Sequence, residues 1–199
     1  MKITRKHRRG SSGRKPLRRA AGSPSAPSPP ADTAADSPQA LDTDQVTRLC
    51  RRAVDGTGCR YWGTNSAWGG PSVDEWIDAA RDRDSAFVAN TDVVEDEGTH
   101  WTLFYLPRDE SRRPYLFDSF GRTPTSMGRP LWRAYMDAVA TRRPGGDGRW
   151  DMNTHRVQEP HTTACGPLCA MALFLLARDM DLPKTVVRQK DIDDFMDMI

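Results

Sequence analysis

The sequence predicts an α+β domain with a central mixed sheet flanked by helices. Three strand-like segments stand together in mid-chain, helical patterns lie before and after them, and a Pro- and Ser-rich stretch precedes them all. Ala21 to Ala40 contains Pro24, Pro27, Pro29, Pro30 and Pro38 and no aromatic residue. Such a segment has too little apolar surface to offset the entropy of ordering it. Residues 1–40 are therefore expected to be a disordered arm and linker, and 41–199 the folded domain.

Asp42 or Thr43 caps a first helix that carries Val46, Leu49, Cys50 and Ala53 on one face and stops at Gly56-Thr57-Gly58. A loop with Tyr61, Trp62 and Trp68 follows and ends at Gly69-Gly70-Pro71. Ser72 and Glu75 form a capping box for a short helix that turns Val73, Trp76, Ile77 and Ala80 inward. Strands are expected at Ser85–Asn90, Thr99–Leu106 and Pro114–Asp118, the last two joined by a charged turn and paired antiparallel. Pro130 opens a helix with Leu131, Trp132, Tyr135, Met136 and Val139 at helical spacing, and Gly145-Gly146 lies beyond it. A short strand near Met152–Val157 leads to an apolar helix that begins at Cys165, and a last amphipathic segment covers about 184–199.

Charge is distributed unevenly. Of the 29 Lys and Arg, nine stand in residues 1–19, which hold no acid; the remaining 20 face 27 Asp and Glu, a formal charge of −7. A basic arm on an acidic body can bind nucleic acid or serve as a nuclear address, or can simply be a solvated tail. No apolar h-region follows the basic N-terminus, and the longest apolar run, Ala164 to Ala177, is interrupted by Gly166 and Pro167 and is too short for a bilayer. The four cysteines, Cys50, Cys59, Cys165 and Cys169, do not form the pattern of a secreted disulfide framework, which points to a reducing compartment.

The segment Val157-Gln158-Glu159-Pro160-His161-Thr162-Thr163-Ala164-Cys165-Gly166 carries the chemistry. It puts a thiol at the start of a buried helix, where the partial positive charge of the unpaired N–H groups favours the thiolate. A thiol nucleophile needs a base, and the base needs an orienting group. His7 lies in the arm, and His155 and His161 would require the local chain to fold back. His100 stands at the start of one strand and Asp118 at the end of the next, hence at one end of their hairpin. The carboxylate is expected to accept the Nδ1 proton and leave Nε2 for the thiol. Gln158 supplies an amide N–H suited to an oxyanion. Taken singly, these are a strand-edge His, a turn Asp, a surface Gln and a core Cys; it is their order along one chain that points to catalysis.

His100-Trp101, Tyr115-Leu116-Phe117-Asp118-Ser119-Phe120-Gly121, Val157-Gln158 and Ala164-Cys165-Gly166 resemble the adenovirus maturation protease family, adenain, within the clan that includes SUMO and ubiquitin-like-protein proteases. Gly58-Cys59, Gly63-Thr64 and Val88-Ala89-Asn90-Thr91 extend the likeness, which covers roughly residues 45–178. The resemblance implies a cysteine endopeptidase with His100 as base, Asp118 as its acid, Cys165 as nucleophile and Gln158 in the oxyanion hole. It also implies virion precursor substrates cut at Gly-containing sites, and action in the host nucleus and virion. Trp101 then walls a narrow glycine-selective cleft or is plain core. Asp118-Ser119 departs from the Glu-Pro of adenoviruses towards the SUMO-protease branch, whereas the seven-residue step from Gln158 to Cys165 matches adenain.

A SUMO or ubiquitin-like isopeptidase is thus the alternative within the fold. The family's covalent peptide cofactor is not supported, because no cysteine lies between Arg122 and Gln158. No cofactor is needed for the chemistry, DNA is the activator in question through residues 1–19, no membrane is engaged, and a monomer is expected. A zinc site of Cys165, Cys169, His155 and His161, with Cys165 and Cys169 one helical turn apart, and a purely nucleic-acid-binding module are the readings in other classes.

Overall fold

The computed structural model describes residues 40–65, 70–91, 100–127, 130–143 and 147–199, apart from the side chains of 130 and 131. All belong to the compact unit Asp36–Ile199. The arm, Trp68 and Gly145-Gly146 lie outside the described residues.

Helix α1, Thr43–Ala53, begins at Asp42, whose carboxylate accepts from the Gln45 N–H while the Gln45 side chain accepts from the Asp42 N–H. Strand β1, Arg60–Asn65, follows, then helix α2, Val73–Asp82, capped by the expected Ser72 and Glu75 pair. Strands β2, Ser85–Asn90, β3, Trp101–Leu106, and β4, Tyr115–Asp118, agree with the sequence reading to within two residues. Helix α3, Pro130–Arg142, strand β5, Asp151–Met152, helix α4, Cys165–Leu176, and helix α5, Gln189–Met198, complete the order.

The five strands form one mixed sheet in the order β1-β2-β3-β4-β5. β2, β3 and β4 are antiparallel neighbours, and β1 and β5 each add a parallel edge. Both faces are covered. Val88, Leu103, Tyr105 and Phe117 pack under α1, α4 and α5, while Phe87, Phe104, Leu106 and Leu116 pack under α2 and α3. Burial on both faces explains why β3 reads Trp-Thr-Leu-Phe-Tyr-Leu with scarcely a polar residue. Helix α4 is apolar all round for the same reason: it is held between α1, α5 and the sheet.

Three expectations change. The Tyr61-Trp62 loop is strand β1, whose pairing with β2 is irregular between Tyr61 and Thr64. Gly63 takes φ +104 there, so an edge strand with a kink shows no alternation for a sequence reading to find. The strand before Cys165 contracts to Asp151–Met152, because the chain then leaves the sheet to bond elsewhere: the N–H groups of Val157 and Gln158 both donate to the Ser119 carbonyl. The last helix starts at Gln189; the Val187 N–H, before it, donates to the Val157 carbonyl.

Candidate active site

Helix α4 begins at Cys165 and its cap residue is Ala164, which offers no side-chain acceptor. α1 and α2 satisfy their first-turn N–H groups with Asp42 and Ser72. The first turn of α4 keeps its donors, and with them the partial positive charge that suits an anion. Gly166 is required next. A Cβ there would stand 2.8 Å from Cγ2 of Val46 and 3.4 Å from Cδ1 of Trp101, so glycine lets α1 close over the start of α4.

His100 and Asp118 meet across the β3–β4 hairpin. The ladder pairs Thr102 with Asp118, so Asp118 is the diagonal neighbour of His100 on the same sheet face. The Thr91 N–H donates to the His100 carbonyl at 2.8 Å and fixes its backbone just before β3 begins. The ring Nε2 lies 3.0 Å from Oδ2 of Asp118, with both side chains buried. This reverses the expected ring orientation: Nε2 faces the carboxylate, and Nδ1 is left buried with no formed hydrogen bond. The diagonal explains it, since the far end of the ring spans the longer distance. The Cys165 thiol is the group that acts on the ring besides Asp118.

Electrostatics bind the three together. Burial lowers the proton affinity of His100, but the Asp118 carboxylate, which accepts from the ring, and the neighbouring Cys165 thiol raise it by more, and the net shift is upward. Burial raises the Asp118 carboxyl, yet His100 and then Arg122 pull it below its ordinary range. Arg122 donates to Oδ2 at 3.3 Å, and the Phe120 N–H donates to Oδ1 at 2.7 Å. Burial raises Cys169 well above an ordinary thiol, and pushes Cys50 and Cys59 up to about 12.

Gln158 is buried, at 1% exposure, and is not a surface residue. Its Nε2 donates to the Thr162 carbonyl at 2.7 Å and its Oε1 accepts from Ser119 Oγ at 2.5 Å. A backbone carbonyl can only accept, so the amide nitrogen must face Thr162. The connection to Cys165 passes through His161, whose φ of +64 puts a left-handed residue in the segment. His155 and His161 are exposed and take no part. Trp101 is core: it is 5% exposed and its indole donates to the Leu41 carbonyl.

Besides Arg122, three contributors escaped the sequence reading. Phe120 stacks on His100 with centroids 4.9 Å apart, and pairing Thr102 with Asp118 would have placed it directly opposite. Asn153 clasps both backbone groups of Asp118, accepting from its N–H and donating to its carbonyl; no sequence signal marks this. Ser119 stands next to the acid and holds Gln158. Among the described residues no group of three His, Cys, Asp or Glu could hold a metal ion, and the Cys169 thiol is turned to the Trp101 carbonyl.

Residues 78–197 match the family described as adenovirus endoprotease. The chain belongs to that family. It is 30% identical over 108 residues to the protease of bovine adenovirus 2, covering 53% of this chain and 52% of that protein, so it spans about half the length of this curated relative. Among solved structures, the ASFV pS273R protease is similar at TM-score 0.59 and 14% identity, with 79% of this chain and 66% of that one covered. The SUMO protease Ulp1, with its catalytic cysteine oxidized to a sulfinic acid, is similar at TM-score 0.56 and 13% identity, with 81% and 75% covered. At these identities the two structures share the fold. The family and the α+β fold are those the sequence motifs pointed to, and no described helix is long and apolar enough to cross a membrane.

Proposed function

We propose that the protein is a cysteine endopeptidase in which Cys165 is the nucleophile, His100 the base and Asp118 its orienting acid. The observation that carries this is the buried His100–Asp118 pair, 3.0 Å apart, whose ring also interacts with the thiol that opens α4. Nδ1 takes the Cys165 proton as Sγ bonds to the scissile carbonyl carbon. The C=O electron pair moves onto oxygen, held by the Cys165 N–H and the Gln158 amide. The same imidazolium then protonates the leaving amine, and a thioester remains for water to hydrolyse with His100 again as base. Asp118 keeps Nε2 protonated and balances the imidazolium charge.

Family membership supports a viral protease acting on virion precursor proteins, at Gly-containing sites and in the host nucleus and virion. The likeness to the SUMO protease Ulp1 supports a second reading, release of a folded ubiquitin-like protein. A vinyl-sulfone probe tests the chemistry. It should label Cys165 and spare Cys169, and His100→Ala should slow labelling at least ~100-fold; labelling indifferent to His100→Ala sinks the dyad. A peptide-library digest set beside SUMO and ubiquitin fusions separates the substrates. Cleavage of short Gly-containing peptides with folded fusions left intact supports the viral reading, and preference for a fusion overturns it.

A further inference from the structure

We propose that Ser119 is a positioning residue for the oxyanion step, orienting and polarising the Gln158 amide; this rests on the oxyanion role proposed for Gln158. Ser119 is fully buried, and its hydroxyl donates to Oε1 of Gln158 at 2.5 Å. At the other end of the same amide, Nε2 donates to the Thr162 carbonyl at 2.7 Å. Two bonds at opposite ends of a planar group fix its plane. They leave the second amide N–H with no partner among the described residues, and Thr162, which holds the first, lies three residues before Cys165 in the chain.

The Ser119 backbone adds a second hold. Its carbonyl accepts from the N–H groups of both Val157 and Gln158, at 2.9 and 3.0 Å, so main chain and side chain of Gln158 are gripped by one residue. That residue directly follows Asp118, which orients His100. The Asp118-Ser119 dipeptide therefore sets the geometry of two arms of the site: the acid aligns the base, and the serine aligns the donor.

The hydrogen bond into Oε1 has an electronic consequence. Accepting a proton at the carbonyl oxygen draws electron density from the amide nitrogen and makes its remaining N–H a stronger donor, as in any polarised chain of hydrogen bonds. Without the hydroxyl, Oε1 is buried with no partner. The amide then has no means to recover by flipping, because a flip would set two carbonyl oxygens, Oε1 and Thr162 O, against each other.

The test uses Ser119→Ala, Gln158→Ala and the double variant of the full chain. The readouts are hydrolysis of a fluorogenic peptide with Gly-Gly before the fluorophore, inhibition by a glycine-terminated peptide aldehyde, and Cys165 alkylation by iodoacetamide. Alkylation builds no oxyanion, so it reports the thiol and its base alone. Loss of a single oxyanion donor costs roughly 10²–10³ in kcat. Ser119→Ala is expected to lower kcat about 10- to 100-fold with KM within about two-fold. The aldehyde should weaken in parallel, the alkylation rate should hold, and the double variant should be no slower than Gln158→Ala alone. A normal kcat for Ser119→Ala beside a depressed Gln158→Ala overturns the positioning role only. A normal kcat for Gln158→Ala overturns the oxyanion reading and this inference with it. Alkylation that slows in step with hydrolysis assigns Ser119 to site assembly in general, and also overturns the proposal.

Discussion

At the scale of the residue, the site rests on opposite shifts in two buried groups. His100 is raised from its ordinary 6.5, burial being outweighed by Asp118 and Cys165, and Asp118 is lowered from 3.8, burial being outweighed by His100 and Arg122. The stability His100 contributes is complete below pH 6.5 and is lost as pH rises through its higher folded value. The part due to Asp118 is present above 3.8 and is lost as pH falls through its depressed folded value. Stability due to the pair is therefore greatest between about 3.8 and 6.5, and in activity the acid limb that reports formation of the neutral imidazole base should lie above 6.5. Asp118→Asn should lower kcat/KM by about 10²–10⁴ and bring that limb back towards 6.5; thermal melts and pH–rate profiles of both proteins check this, and an unmoved limb contradicts the assigned cause. The four candidate residues could be named from the sequence because each type suits one chemical role and they occur in one order. The ring orientation was not. It depends on a diagonal contact fixed by strand register, which composition and spacing leave open.

At the scale of the element, α4 carries the thiol and α1 fixes where α4 begins. Gly166 is the point of contact, since an added Cβ would sit 2.8 Å from Val46, itself fully buried. Gly166→Ala should cost about 1–3 kcal/mol through overpacking and should slow Cys165 alkylation, because the displaced residue is the thiol's neighbour. Val46→Ala in the same chain should restore part of both losses, and melting together with alkylation rates across the double-mutant cycle measures that coupling. Additive losses would mean that the two side chains do not share the contact. Periodicity found α1 to α3 because each buries a stripe, and α4 was read from its apolar run, most of which is buried. It missed β1, a half-exposed edge strand kinked at Gly63, and it carried α5 too far, since Val187 is half-buried before the helix starts and its N–H is tied to the Val157 carbonyl.

At the scale of the whole molecule, we propose that any attraction to DNA belongs to the arm, because the charge is divided so unevenly along the chain. Nine cations and no acid occupy residues 1–19, while the rest of the chain carries 20 basic against 27 acidic residues. An acidic body is repelled by a polyanion, so on this proposal attraction to DNA comes from the arm. Each phosphate neutralised steepens the fall of log K with log salt by about 0.9. If six to nine of the arm's cations engage, affinity should drop by roughly 10³–10⁵ between 50 and 200 mM salt. Deleting residues 1–40 should abolish that binding and any stimulation of hydrolysis by duplex DNA. Cys165 alkylation should be unchanged, because His100, Asp118, Gln158 and Cys165 take every described bond from residues beyond 40. Filter binding over a salt series, run beside alkylation of the same two proteins, reads both halves at once. A shortened chain that keeps the salt slope would move the DNA-binding surface onto the body; one that keeps binding weakly but loses alkylation would make the arm part of the folded site.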